Sequence, residues 1–327
     1  MMAKVFFWLL ITALLAFAPF AQAQQAGKIF RIGVLDVSTA SGSAVLWDAF
    51  RQELSKLGWV EGKNVATEYR FAEQKSERLA ELAADLVRLK VDLIVVSGRP
   101  VALAAKSATA TIPIVMTNVG DPVGAGLVAS LARPGGNVTG FSSLLPELGT
   151  KRLEILKDAV PKLVRVGVLR SAGTGQPFQM KELRPAAQAL KLKLEEIETQ
   201  ADAKSLESAF KTAKQKQVGA IMTMATPSFF AARKRIVELA VKYRLPAIYF
   251  QKEFVDEGGL MCYGEDYDDL YRKAAHYVDK ILKGTKPADL PVQQATKFEF
   301  VINLKAAKQI GLTIPPDVLA RANQVIK

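Results

Sequence analysis

Two hydrophobic periodicities alternate along the chain after its first 30 residues. Short apolar runs of the kind found in buried parallel strands occupy residues 31–37, 92–97 and 114–117. Between these runs, residues 44–57 and 76–89 carry apolar side chains at helical spacing. This alternation of strand and helix predicts parallel sheets with helices on both faces.

The same alternation restarts after a glycine-rich segment at residues 133–137. Strand-like runs follow at residues 165–170, 220–224 and 247–250, and residues with helical spacing lie between them. Since each block supplies about four or five strand–helix units, the pattern predicts an α/β protein with two doubly wound parallel-sheet lobes in tandem.

The spacing of apolar and polar residues in the C-terminal region predicts one long amphipathic helix at Tyr267–Leu282. It also predicts a polar linker at residues 286–291 and an extended segment at residues 298–302. This region is too short for a sheet of its own, so we expect it to pack on both lobes and to complete a multi-strand hinge. The expected boundaries are residues 30–141 plus 264–290 for the N-terminal lobe and residues 142–263 plus 291–327 for the C-terminal lobe.

Residues 1–23 have the pattern of a secretory signal peptide. Lys4 gives a short positive region, residues 5–18 form an apolar run, and residues 21–23 (AQA) form a small-residue cleavage site. The run is shorter than the ~20 apolar residues that a membrane span requires, and Pro19 ends it. We therefore expect an exported, periplasmic protein whose mature chain is not inserted in the membrane.

Composition narrows the chemistry available to the protein. The chain has one Cys and one His, which excludes disulfide frameworks, cysteine-rich metal sites and histidine clusters. Its 44 Lys+Arg residues against 32 Asp+Glu give a net charge of +12, but the basic residues are scattered and no aromatic-interleaved stripe is present. We expect no nucleic-acid partner, no metal and no cofactor.

Common catalytic motifs are missing from the sequence: G-x-S-x-G, the P-loop, H-E-x-x-H and C-x-x-C. His276 falls within the predicted helix at Tyr267–Leu282, on the side away from its apolar stripe. Cys262 falls in an apolar strand, where a free cysteine is usually a small buried hydrophobe. These features predict a protein that is not an enzyme.

Open α/β sheets bind ligands at the carboxyl ends of their strands, and in a two-lobe protein these ends face a shared cleft. The position of Asp121 is typical either of a carboxylate that binds an ammonium group or of one that caps a helix. The serine and threonine hydroxyls at the strand ends are typical either of ligand contacts or of turns. Tyr263 is a candidate stacking wall. The candidate ligand-binding residues are Ser38, Thr39, Ser97, Gly98, Asn118 and Asp121 on the N-terminal side and Ser171, Thr226, Gln251 and Tyr263 on the C-terminal side.

Several stretches of the chain resemble the bacterial ABC-transporter substrate-binding proteins of the tryptophan/tyrosine-binding type. The resemblance covers nearly all of the chain after residue 30 and is specific to this family. The stretches are RIGVL at residues 31–35, AFRQELSKLGWVEGKNV at 49–65, GDPVGAGLVASLARPGGNVTG at 120–140, GGLMCYG at 258–264 and YVDKILKGTKPADLPVQQATKFEFVINLKAAKQIGLTIPP at 277–316.

The resemblance implies a type I periplasmic-binding-protein fold, with three hinge crossings and lobes that close on a small solute. It implies a monomer that delivers an aromatic amino acid or a related compound to an ABC permease and ATPase encoded separately. Two alternatives stay open: a ligand sensor for a membrane receptor, and a periplasmic enzyme that uses the carboxylates of Glu253, Asp256 and Glu257.

Overall fold

The computed structural model describes residues 28–171 and 177–327. The expected signal peptide lies outside these residues. The N-terminal lobe begins with five strands and three helices in alternation, with a short 3-10 turn at Ser76–Arg78 before the second helix. The elements are β1 (Phe30–Asp36), α1 (Ala44–Lys56), β2 (Val65–Phe71), α2 (Leu79–Arg88), β3 (Leu93–Val96), α3 (Arg99–Ala108), β4 (Ile114–Gly120) and β5 (Val138–Ser143).

The C-terminal lobe repeats the alternation. A helical stretch at residues 227–242 is divided at Ala232 into two helices. The elements are α4 (Leu145–Ala159), β6 (Arg165–Ser171), α5 (Pro177–Ala189), β7 (Lys193–Thr199), α6 (Ala203–Gln215), β8 (Ala220–Thr223), α7 (Pro227–Ala231), α8 (Arg233–Lys242), β9 (Ala247–Tyr249), α9 (Glu253–Asp256) and β10 (Met261–Glu265).

The C-terminal region then crosses back and contributes to both lobes, with a 3-10 turn at Pro287–Asp289 after its first helix. Its elements are α10 (Tyr267–Leu282), β11 (Gln293–Gln294), β12 (Phe298–Asn303), α11 (Leu304–Ile310), α12 (Pro316–Leu319) and β13 (Gln324–Ile326).

The strands form two sheets, one in each lobe. The first sheet has the order β11-β5-β4-β3-β1-β2 and is parallel throughout. The second has the order β13-β12-β10-β9-β8-β6-β7, in which β10 and β12 pair antiparallel. The prediction of two parallel-sheet α/β lobes with helices on both faces is confirmed.

Sheet membership shifts the expected lobe boundaries by a few residues. Strand β5 continues to Ser143, and Gly264 and Glu265 belong to β10 of the second sheet. Strand β11 joins the first sheet, although the expected boundary places residues 291–327 in the C-terminal lobe. The reason is that β11 has two residues, which are too few to show a periodicity in the sequence.

Helix α10 has the bounds that its apolar spacing predicts. Its buried face includes Leu270, Ala274 and Val278, and this face packs on α1 and β4 of the N-terminal lobe. The carboxylate of Asp266 caps the helix by accepting a hydrogen bond from the Asp269 N–H at 2.9 Å. The helix therefore fastens the returning chain to the first lobe.

A buried carboxylate ties two of the crossings between lobes together. Glu265, where β10 ends, accepts hydrogen bonds from the Ser143 hydroxyl at 2.7 Å and the Leu144 N–H at 2.6 Å, where β5 leads into α4. The Asp266 N–H donates to the Lys297 carbonyl of the third crossing at 3.0 Å. Burial raises the pKa of Glu265, and the two donated hydrogen bonds oppose this rise. The three crossings thus form one hydrogen-bonded unit.

Within the described ranges, no helix combines the length and apolar character needed to cross a membrane. The Cys262 thiol is buried. His276 is half exposed, with Nε2 3.2 Å from the Glu53 carboxylate.

Candidate functional site

The loop after β1 is organised by Asp36. One carboxylate oxygen accepts a hydrogen bond from the Ser38 N–H and the other from Trp47 Nε1, both at 2.8 Å. The carboxylate is 2% exposed, and burial raises its pKa while these hydrogen bonds lower it. Sequence reasoning missed Asp36. The sequence feature that could have identified it is a carboxylate at the end of an otherwise apolar strand.

Ser38 and Thr39 follow Asp36 but have different partners. Thr39 Oγ1 accepts a hydrogen bond from the Gly42 N–H at 3.0 Å, which closes a turn. Ser38 is 1% exposed, and its Oγ is buried with no hydrogen-bond partner among the described residues. A buried polar atom normally has a partner, so the Ser38 hydroxyl has unused hydrogen-bonding capacity.

The ends of β3 and β4 carry a hydroxyl–amide network. Tyr271 from α10 donates to Ser97 Oγ at 2.9 Å, and Ser97 donates to Asn118 Oδ1 at 3.0 Å. Thr117 donates to the same oxygen at 2.8 Å, and the Gly98 N–H donates to the Asn118 carbonyl at 3.2 Å. The structure therefore brings the candidates Ser97, Gly98 and Asn118 together.

A bulge in β4 places Asn118 in this network. The pairing of β4 with β5 shifts register between Met116 and Val119, and such bulges redirect side chains beside binding sites. Gly140 of β5 faces the irregular stretch with φ +122°, and a Cβ there would lie 2.2 Å from the Met116 carbonyl oxygen. Glycine is thus required at this position by both conformation and space.

Asp121 lies at the edge of this region in an exposed turn. Its φ is +47°, and its Oδ1 accepts a hydrogen bond from the Gly124 N–H at 2.8 Å. This is an Asx-type turn. The helix cap expected as one of its two roles is wrong, because no helix begins among the described residues between Asp121 and β5.

Hydroxyl groups form a second cluster in the C-terminal lobe. Ser171, at the end of β6, lies 3.0 Å from Ser228 Oγ, which in turn lies 3.2 Å from Thr226 Oγ1. Thr226 caps α7 by accepting a hydrogen bond from the Phe229 N–H at 3.2 Å. The candidates Ser171 and Thr226 therefore share a cluster through Ser228, a residue that sequence reasoning did not select.

Gln251 and Tyr263 differ in what they offer a ligand. Gln251 follows β9, is 3% exposed, and its Nε2 is buried with no partner in the described part of the chain. Tyr263 lies within β10, with its ring edge-on to Phe300 at a centroid distance of 6.1 Å. It packs on the hydrophobic core of the C-terminal lobe, so the structure does not group it with the other candidates.

Glu253, two residues after Gln251, is a buried carboxylate with a raised pKa. Burial raises its pKa to about 7. Lys252 beside it bonds Asp268 of α10 at 3.3 Å and lies 3.9 Å from Glu299. Glu253 therefore changes charge near neutral pH, and its ionised form can attract a cation. The described residues contain no His, Cys, Asp and Glu grouping suited to a metal ion.

The two lobes touch beside the loop that carries Ser38. Arg233 Nη1, at the start of α8, donates to the Gly42 carbonyl at 3.1 Å. This contact brings the start of α8 next to the loop that follows β1.

Residues 32–326 match the family of ABC transporter substrate binding proteins. The chain belongs to this family. A tyrosine-binding protein from Clostridioides difficile is 31% identical over 267 residues, which cover 80% of this chain and 75% of that protein. Such substrate-binding proteins bind a small ligand outside the cytoplasm for an ABC transporter.

Two solved structures of similar proteins differ in state. A Streptococcus pneumoniae domain in complex with L-Trp is 29% identical, with a TM-score of 0.81 over 91% of this chain and 100% of that one. A ligand-free, open substrate-binding protein with adhesive properties from Clostridium difficile is 26% identical, with a TM-score of 0.64 over 91% and 99%. Both relatives share the type I periplasmic-binding-protein fold of this substrate-binding protein, whose overall arrangement is more similar to that of the L-Trp complex.

Proposed function

We propose that this substrate-binding protein is the periplasmic receptor of an ABC importer and that its lobes close on a small solute. The observation that carries the proposal is a pair of buried groups on the two lobes, Ser38 Oγ and Gln251 Nε2, that have no hydrogen-bond partner among residues 28–171 and 177–327. Leaving such groups unsatisfied costs about 1–3 kcal/mol each, and a ligand with acceptor oxygens would remove that cost.

The proposed solute is an aromatic amino acid or a related compound. The names of the tyrosine-binding relative and of the L-Trp complex support this class. In this proposal the Ser38 hydroxyl and the Gln251 amide donate to the carboxylate of the solute. The ionised Glu253 or Asp121 faces its ammonium group. The network at Ser97 and Asn118 borders the rest of the ligand.

Delivery requires a membrane permease and an ATPase, which we propose are separate chains. The proposed hinge is the unit joined by Glu265, because all three crossings meet there within hydrogen-bonding distance. We propose that the receptor acts as a monomer, is exported by the segment at residues 1–23, and catalyses no reaction.

A thermal-shift panel on residues 24–327 tests the proposal, with L-Trp, L-Tyr, L-Phe, the other amino acids and small organic acids. A ligand at 100 times its Kd raises the free energy of unfolding by roughly 2.7 kcal/mol, which gives a clear rise in Tm. A selective shift with an aromatic amino acid is the expected result. A selective shift with another solute keeps the receptor and contradicts the aromatic class.

Variants then locate the site by calorimetric titration. Gln251→Leu and Ser38→Ala should each raise the Kd about tenfold, because each removes one hydrogen-bond donor to the ligand. Gln215→Leu and Ser41→Ala change exposed residues of the same types and serve as controls. Unchanged affinity in both site variants would place the ligand elsewhere.

A further inference from the structure

We propose that Arg233 and Gly42 form a latch between the lobes that sets how long the closed receptor retains its ligand. The inference rests on the proposed function, because it assigns a role in the closed, ligand-bound form. It adds two positioning residues that bring the lobes together.

Arg233 is oriented by its own lobe before it reaches the other. Its guanidinium lies 4.8 Å from the centre of the Phe230 ring, and Nη1 donates to the Phe230 carbonyl at 3.1 Å. Its Nε lies 3.5 Å from Glu257 Oε1, and the side chain is 18% exposed. These contacts fix the guanidinium so that Nη1 also donates to the Gly42 carbonyl of the N-terminal lobe at 3.1 Å. A preoriented cationic donor loses little freedom when this bond forms.

Gly42 provides the space for that approach. A Cβ at this position would lie 2.9 Å from the Ala231 Cβ, which belongs to the opposite lobe. It would also lie 2.8 Å from both Ser38 Oγ and Thr39 Oγ1. Real Cβ atoms essentially never show contacts under 3.0 Å, so any larger residue here requires the lobes or the loop to shift.

The latch acts on the loop that carries a proposed ligand donor. Gly42 and Ser38 belong to one short loop, in which the Gly42 N–H is bonded to Thr39 Oγ1 at 3.0 Å. Closing the latch therefore holds Ser38 against the ligand. Because the Arg233–Gly42 bond spans the lobes, it exists in the closed form and disappears when they separate. Its loss should raise the dissociation rate, while the encounter with ligand in the open form is unchanged.

Stopped-flow binding with the amino acid found in the thermal-shift panel tests the latch. Arg233→Met and Gly42→Ala should raise koff about tenfold, with kon within about twofold of wild type, and Arg233→Met should leave the Tm without ligand unchanged. Arg233→Lys should restore part of the lost residence time, because a lysine ammonium can still donate to the carbonyl. A merely structural role for Arg233 would lower the Tm and leave the ratio of koff to kon unchanged, which would overturn the proposal.

A double variant separates the two effects of a side chain at position 42. Gly42→Ala combined with Ala231→Gly removes the clash between lobes but keeps the contacts with Ser38 and Thr39. Recovery of the wild-type koff supports the latch, and no recovery overturns the role of Gly42. Matched controls are Gly136→Ala, which has open space and no positive φ, and Arg235→Met, which pairs with Glu207 and Glu238 of its own lobe.

Small-angle X-ray scattering tests the latch independently of the solute. If the panel finds no ligand, the proposed function fails, but the lobe contact can still be measured. Arg233→Met and Gly42→Ala should then increase the radius of gyration relative to wild type and to both controls. An identical radius in all five proteins would overturn the latch.

Discussion

The two sides of the interlobe site differ in how their polar groups are satisfied. On the N-terminal lobe, Asp36 and Asn118 each collect hydrogen bonds from several partners of the same lobe. On the C-terminal lobe, Gln251 Nε2 and Thr223 Oγ1 are buried with no partner among the described residues. Ser38 Oγ is the exception on the N-terminal lobe, since it is also buried with no partner among the described residues. The network around Asp36 and Asn118 is therefore built before a ligand arrives, whereas burial of these unpaired groups becomes favourable when a ligand pairs with them.

The largest expected effect is a loss of stability when the Asp36 carboxylate is removed from the N-terminal side of the site. Asp36→Ala leaves the Trp47 Nε1–H and the Ser38 N–H buried without their acceptor, at about 1–3 kcal/mol each. We expect the free energy of unfolding to fall by about 3–5 kcal/mol in urea denaturation. Asp48→Ala, which removes a half-exposed carboxylate on α1, should stay within about 0.5 kcal/mol of wild type. Equal losses in both variants would contradict a prebuilt N-terminal side.

The next largest effect is the pH dependence of the free energy of unfolding that Glu253 causes. Burial raises its pKa from 4.5 to about 7, so the folded state binds a proton that the unfolded state has released between these pH values. The free energy of unfolding therefore falls as pH rises through this window. Glu253→Gln should match wild type near pH 4 and exceed its stability by about 3 kcal/mol at pH 8.

Denaturation curves across this pH range measure the effect. Glu299→Gln is the comparison variant, because the pKa of Glu299 is raised to about 6 and its side chain is more exposed. At pH 8, Glu299→Gln should raise the free energy of unfolding by less than Glu253→Gln does. If Glu253→Gln gains nothing at pH 8, Glu253 has an ordinary pKa in the folded protein.

A third, smaller effect separates two serines of the same lobe. Ser97→Ala breaks the chain from Tyr271 to Asn118 and should cost about 1–2 kcal/mol of stability. Ser38→Ala removes a buried hydroxyl with no described partner and with it the cost of burying that hydroxyl, so the stability without ligand should rise by about 1 kcal/mol or more, while ligand affinity falls. Paired Tm and Kd measurements check both statements. Loss of stability in Ser38→Ala would show that its hydroxyl already has a partner in the fold.

The sequence predicts the elements of this protein more reliably than their contacts. Helix α10 is predicted with its observed bounds because its apolar stripe and the glycine after it are local signals. Strand β5 was missed, since Thr139, Gly140 and two serines interrupt its apolar character. Local sequence patterns therefore predict the overall architecture but miss short strands such as β5.

Site residues depend on partners far away along the chain. The bond from Tyr271 to Ser97 joins residues 174 positions apart, so nothing near Ser97 shows that its hydroxyl is already occupied. Tyr263 was expected at a strand end, but β10 continues to Glu265 and Tyr263 packs beside Phe300 instead. The sequence could thus indicate which loops meet, but not which of their side chains still lack a partner.

The smallest expected effect tests the two roles considered for Asp121. Asp121→Asn keeps the Asx-type turn, because an amide oxygen can also accept from the Gly124 N–H, but it removes the negative charge. If the turn is its role, both the Tm and the Kd for an amino acid ligand should be nearly unchanged, with differences within about 0.5 kcal/mol. If Asp121 holds an ammonium group, the Kd should rise about tenfold or more while the Tm without ligand stays constant. Its exposure and its bond within the turn favour the first outcome, which would leave Glu253 of the C-terminal lobe as the proposed ammonium partner.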